Sequence, residues 1–323
     1  MLALTVGAVA AAETPLDWLT RMEQALIARN YTGVFVHEHG GQTETLQVIH
    51  RGGTDRGAER ILSMDGSGRE FIRRDGELYC FLPDQRLVLV EPSQESGLLL
   101  GELRRLDVTA SGQYQLREMA PTRISGRSVR VIDIEPRDAL RYGYRLWVDE
   151  KSAMPLKTQM RASDARVVEQ IIFTDLRLPS QIPDSQLLAQ TDATGYRWSR
   201  RVAAANAPAG DVTQPGAWQS NDLPPGFRLT LRTTQTMPGN AQPVTHLVFS
   251  DGMASVSVFV EQYATTSAPA AATAPPADVT QLGSASAWST TTQGMRVTAI
   301  GEVPPDTVRA IASSMFAPAP RRR

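Results

Sequence analysis

His37-Glu38-His39 is the stretch of this 323-residue chain whose residue types come nearest to a metal site. On a strand the two histidines share one face, a geometry in which imidazoles can hold zinc. His50 is the one further candidate ligand, and a polar strand face accounts for all three, so no metal is expected. Cys80 is the single cysteine, which excludes an intrachain disulfide and a cysteine-based zinc site. Between Tyr79 and Phe81 in a strand, its thiol is expected to be buried and inert. Asp251-Gly252-Met253-Ala254-Ser255 sets a serine near a turn but lacks the G-x-S-x-G elbow that exposes a nucleophile. There is no G-x-G-x-x-G or P-loop pattern to cradle a phosphate, and the carboxylates scatter through turns without a pairing that sequence reveals. With no catalytic set and no cofactor motif, the chain reads as a binding protein.

Composition limits what it binds. A net charge of −1 gives no electrostatic case for nucleic acid or for an acidic membrane. Among 33 basic residues only Lys151 and Lys157 are lysines. The rest are arginines, forked donors suited to carboxylates and phosphates. Hydrophobic residues at 41% and charged ones at 21% are those of a folded protein. Met1–Ala12 is apolar and uncharged and ends in small residues. It resembles a secretory leader with an A-x-A cleavage site before Glu13, so export is expected.

The elements that must position any site follow from periodicity. Thr14-Pro15-Leu16-Asp17 predicts a capped helix start, and Trp18, Leu19, Met22, Ala25 and Leu26 form its apolar stripe. The period then becomes that of strands: Tyr31–His39, Thr43–His50, Glu59–Met64, Glu70–Arg73, Glu77–Leu82 and Arg86–Glu91, joined by glycine and aspartate turns. A second group comprises Gln113–Glu118, Ser128–Ile134, Tyr142–Asp149, Leu156–Ala162 and Val167–Asp175. Brief turns between strands predict an antiparallel meander, here a curved sheet or half-barrel around helices. Ser93–Arg105, with three consecutive leucines at 98–100, is expected to cover it. Alternation aims Tyr79 and Phe81, and Tyr142, Tyr144, Leu146 and Val148, inward. A solid core and an apolar cavity both fit that pattern, a solid core being the commoner.

From Ser180 to Asn221 the pattern weakens into an expected interdomain connection. Beyond it, strands at Phe227–Met237, Thr245–Ser250, Ala254–Tyr263, Ala285–Thr291 and Met295–Ile300 precede a helix beginning at Pro304-Pro305-Asp306. This predicts a smaller antiparallel sheet with one terminal helix. The low-complexity segment 264–280 is expected to interrupt it as a disordered loop. Residues 319–323 are expected to be a solvated tail. The fold class is mainly β (α+β), divided into 13–179, the connection 180–221, and 222–318.

Several motifs carry a family resemblance. Glu59-Arg60-Ile61-Leu62 with Asp65-Gly66 and Arg69-Glu70 is followed by Tyr79-Cys80-Phe81-Leu82-Pro83-Asp84. Then comes Arg141-Tyr142-Gly143-Tyr144-Arg145-Leu146-Trp147-Val148-Asp149. The second domain adds Leu223-Pro224-Pro225-Gly226-Phe227, the run from Ser250 to Val258, and Gly301-Glu302-Val303-Pro304-Pro305. Together, in order and over nearly the whole chain, they resemble the MucB/RseB family of periplasmic regulators of the envelope-stress sigma factor.

That resemblance implies a first domain folded like the LolA and LolB lipoprotein carriers. It implies a soluble periplasmic protein that binds the periplasmic part of a MucA/RseA-type anti-sigma factor and shields it from site-1 proteolysis. Lipid or lipopolysaccharide would release it, and a homodimer is compatible with this reading. An apolar lipid site would be lined by Phe35, Tyr79, Phe81, Leu98, Leu99, Tyr144 and Leu146, with Arg104 and Arg105 at its mouth. Partner contacts are expected from the second domain, including Phe227, and from Arg197, Arg200 and Arg201. The alternative is a lipid or lipoprotein carrier, which leaves the second domain unexplained; a hydrolase lacks a visible nucleophile and base.

Overall fold

Thr14 starts the first helix as its sequence predicts. Its hydroxyl accepts the Asp17 N–H at 3.2 Å while the Asp17 carboxylate accepts the Thr14 N–H at 2.8 Å, closing a reciprocal cap. The computed structural model describes residues 13–53, 57–66, 68–93, 107–110, 112–200, 218–236, 242–262 and 278–317. Helix α1 (Pro15–Ala28) buries Trp18, Leu19, Met22, Ala25 and Leu26, the five residues of the predicted stripe.

Twelve strands follow in one sheet. They are β1 (Tyr31–His39), β2 (Gln42–Arg51), β3 (Ala58–Ser63), β4 (Glu70–Arg74), β5 (Glu77–Leu82) and β6 (Leu87–Pro92), then β7 (Tyr114–Ile124), β8 (Arg127–Pro136), β9 (Gly143–Asp149), β10 (Pro155–Arg161), β11 (Val167–Arg177) and β12 (Arg197–Arg200). Their spatial order is β12-β6-β5-β4-β3-β2-β1-β11-β10-β9-β8-β7. The eleven strands the sequence predicts are all present and antiparallel, and β1 closes on β11.

The sheet curls around α1. Ile61 on β3 and Ile132 on β8 belong to the same core as Leu26 and Met22 of the helix. Six strand steps separate β3 from β8, which in a flat sheet would be about 29 Å. Only a strongly bent sheet brings both onto one helix. Its two edges, β7 and β12, stay unjoined, so the half-barrel is open.

The expected connection from residue 180 is corrected by the structure as far as Arg200. Ile182 and Leu187 pack on Ile49 and Ala58 in a small apolar cluster of their own. Ala193 and Tyr196 cover Ile72, Phe81, Val88 and Val90. Strand β12 then adds to β6 in parallel. A segment anchored by isolated apolar residues has no periodicity to reveal it, which is why the sequence pattern weakens there.

The second sheet contains β14 (Arg228–Thr236), β15 (Pro243–Ser250), β16 (Ser255–Gln262), β17 (Thr280–Leu282), β18 (Ala285–Thr292) and β19 (Met295–Gly301), ordered β14-β15-β16-β19-β18-β17. Helix α2 (Pro305–Ser313) lies on β18 and β19 and buries Val308, Ile311 and Ala312 against Phe249, Val258 and Ala299. A two-stranded pair, β13 (Gln219–Ser220) with β20 (Met315–Phe316), ties the domain's start to its end. Among the described residues no helix is long and apolar enough to cross a membrane.

Candidate functional site

The two domains meet along a polar seam. Arg141 lies between β8 and β9, and Asp251 in the turn between β15 and β16; both side chains are fully buried and form an ion pair. The turn fixes Asp251 first. Its Oδ1 accepts the N–H groups of Met253 and Ala254 at 2.9 and 2.8 Å, which leaves Oδ2 to face the other domain. There Oδ2 takes Arg141 and the Tyr114 hydroxyl, the latter at 3.0 Å.

Arg141 is held from both sides. Asp138 of its own domain accepts from its Nε at 3.0 Å, and the Pro225 carbonyl of the second domain accepts at 2.7 Å. The guanidinium also lies over the rings of Tyr114 and Phe227, at 5.6 and 5.3 Å. Burial alone would lower the Arg141 pKa, but its hydrogen bonds to Asp138 and the charge of Asp251 outweigh it and raise the value. Burial and the Asp251 charge push the Tyr114 hydroxyl far above its ordinary pKa, so it remains a neutral donor.

Gly252 lets the turn approach this closely. Its φ is +99°, and a Cβ there would sit 2.6 Å from the Ala110 Cβ of the first domain. Thr307 in the first turn of α2 donates to the Leu140 carbonyl at 2.5 Å, beside Arg141. Elsewhere along the seam, the Ser284 hydroxyl donates to Glu302 at 2.8 Å and lies beside Glu169 of the first domain.

Glu169 also shows where the histidine pair goes. His37 Nε2 lies 2.8 Å from its carboxylate, and the His37 and His39 rings lie tilted at 31° with centroids 4.5 Å apart. Burial alone would raise the Glu169 pKa; the His37 and Ser284 bonds outweigh it and lower the value. Among the described residues no three His, Cys, Asp or Glu side chains form a group able to hold a metal ion. Cys80 is half-buried, and desolvation pushes its thiol up to about 11.

Among the described residues, Phe35, Tyr79, Phe81, Tyr144 and Leu146 of the expected lipid lining are spread over more than one cluster. Phe35 and Leu146 are buried in the main core around α1. Phe81 belongs to the separate cluster beneath Tyr196, with Tyr79 packed against it. Tyr144 touches the main core and also lines an open cleft of about 400 Å³ of mixed character, which it shares with Asp133, Asp138, Arg145 and Arg161 as well as Ile134. Curling puts the inward faces of β5 and β9 over different neighbours. Leu98, Leu99, Arg104 and Arg105 lie outside the described residues, as does the leader.

Comparison with known proteins settles what this architecture is. Residues 14–191 match the MucB/RseB N-terminal domain model and residues 212–316 the MucB/RseB C-terminal domain model. The chain belongs to the MucB/RseB family. It is 31% identical over 321 residues to the sigma factor AlgU regulatory protein MucB of Pseudomonas aeruginosa, covering 97% of this chain and 93% of that one. A crystal structure of MucB in complex with MucA(peri) superposes with TM-score 0.70 at 28% identity, over 95% of this chain and all of that one. MucB alone superposes with TM-score 0.60 at the same 28% identity, over 94% and 98%.

Among the residues that the MucB/RseB resemblance nominated for partner contact, Arg197 and Arg200 lie exposed on the edge strand β12, where Arg200 pairs with Glu77. Trp198 stands between them, exposed and edge-on to Phe81. Phe227 is corrected: it is buried in the second core beneath Arg141 and offers no free contact surface. Arg201 lies outside the described residues. The seam residues Arg141 and Asp251 carried a signal that sequence reasoning passed over. Each is a charge inside a quoted motif otherwise rich in apolar and small residues.

Proposed function

We propose that this protein is a non-enzymatic periplasmic regulator that binds the periplasmic part of a MucA/RseA-type anti-sigma factor. Bound there, it shields that factor from site-1 proteolysis and so keeps the envelope-stress sigma factor sequestered. The observation that carries the reading is the whole-length likeness to MucB, which extends in three dimensions to MucB in complex with MucA(peri). Lipid or lipopolysaccharide acts as the releasing signal in this proposal. Because Phe35 and Leu146 already fill the core around α1, lipid entry requires that part of this core give way.

The test is a reconstituted one. Titration of the purified mature chain with the periplasmic segment of the anti-sigma factor from the same genome should give a saturable one-to-one complex. Adding the site-1 protease should then leave the segment intact, and lipopolysaccharide should restore cleavage. A segment cut equally fast with and without this protein would overturn the reading.

A further inference from the structure

We propose that the buried cluster of Arg141, Asp251 and Tyr114 sets the relative placement of the two domains that the partner recognises. These three are then positioning residues for partner binding. The inference rests on the reading that the partner is the anti-sigma factor segment.

The cluster specifies an orientation as well as an attraction. Asp251 cannot swing, because its Oδ1 is committed to the N–H groups of Met253 and Ala254. Arg141 cannot swing either, because Asp138 grips its Nε and a terminal nitrogen at 3.0 and 3.1 Å within the first domain. What remains of a planar, rigid fork meets Asp251 and the Pro225 carbonyl of the second domain. Two fixed groups meeting through directional bonds admit one domain orientation, and Tyr114 adds a second bond to the same oxygen.

Such a buried pair supplies geometry more than net stability. Opening the seam returns both charges to water, which offsets much of what the pair contributes when closed. The closed placement can therefore be favoured without being locked. A partner that contacts both domains would bind in proportion to the population of that placement. The whole-chain superposition is closer to the partner-bound MucB, TM-score 0.70, than to MucB alone, 0.60. This is a difference between the structures. Neither charge can act by touching the partner, since both side chains are fully buried.

The experiment uses the full mature chain. Arg141→Met and Asp251→Asn would be measured by titration against the anti-sigma segment and by small-angle scattering without it. Tyr114→Phe, which removes one hydrogen bond and keeps the ring, serves as the gentle variant. Thermal unfolding would confirm that both domains are folded, and if Arg141→Met is not, Asp251→Asn and Tyr114→Phe carry the test.

Expected is an affinity loss of about tenfold for the charge variants, as when the competent fraction falls to one tenth. An altered scattering profile of the free protein should accompany it. The double variant Arg141→Met/Asp251→Asn should lose little more than either single one, because the two act as a unit. Folded variants that bind within twofold of wild type would overturn the inference alone. So would lost affinity with unchanged scattering. Wild-type protein that does not bind the segment would instead overturn the functional reading on which it rests.

Discussion

Thr191 donates both its backbone N–H, at 2.9 Å, and its hydroxyl, at 2.7 Å, to the same carboxylate oxygen of Glu70. The Gln190 N–H and Arg60 also bond this carboxylate, which is wholly buried on β4. One acid thus straps the segment after residue 180 to the first sheet. Glu70→Gln would leave the buried Arg60 guanidinium without its anion and present an NH₂ to groups that donate. Breaking a buried pair in this way costs about 3–5 kcal/mol. Denaturant unfolding should show a loss of that order, with faster hydrogen exchange at residues 188–193; an unchanged midpoint would refute the strap.

The same carboxylate sets an acid limit. Burial alone would raise the Glu70 pKa, but the bonds from Arg60, Thr191 and Gln190 outweigh it and lower the value. A depressed folded pKa means that the stabilisation is complete above the ordinary glutamate value, about 4.3. It is lost as the pH falls through the folded value. Melting temperature should therefore drop below about pH 4.3, and the drop should be smaller in Glu70→Gln. Parallel wild-type and variant curves would place the acid sensitivity elsewhere.

Much of this fold was legible in the sequence because it is carried by local signals. The Thr14–Asp17 cap, the Trp18-to-Leu26 stripe and the turn glycines each depend on neighbours a few residues away. The placement of Phe35, Phe81 and Leu146 was not legible, since alternation says which face a residue takes and not what lies opposite. Curvature decides that, and it depends on strands far apart in sequence such as β3 and β8. The Arg141–Asp251 pair spans 110 residues and has no local pattern at all. Its turn, with Gly252 at positive φ, was legible; its partner was not.

Leu146 distinguishes a solid core from a standing cavity. It is fully buried among Val148, Ile132 and the α1 side chains. In such packing Leu146→Ala removes transfer energy and leaves a void, costing about 2–5 kcal/mol. Chemical denaturation should report a loss in that range. A loss under 1 kcal/mol would mean that the side chain already borders empty or solvent-filled space, and would favour a preformed lipid pocket.

The first domain extends to the end of β12, and truncation tests this directly. A fragment ending at Pro179 lacks Ile182 and Leu187, which cover Ile49 and Ala58, and lacks Ala193 and Tyr196, which cover Ile72 and Phe81. It also strips the Thr191 and Gln190 donors from Glu70. Uncovering apolar side chains costs about 1.5–3 kcal/mol for each one fully exposed, so several such losses approach the whole stability of a domain. A fragment of residues 13–200 retains every one of these contacts. It should unfold cooperatively, while 13–179 should melt far lower or fail to fold, as circular dichroism would show. Both fragments lack Asp251 and Pro225, so neither can close the seam, and both should bind the anti-sigma segment much more weakly than the full chain. Equal melting temperatures for the two would return the segment from residue 180 to the status of a linker.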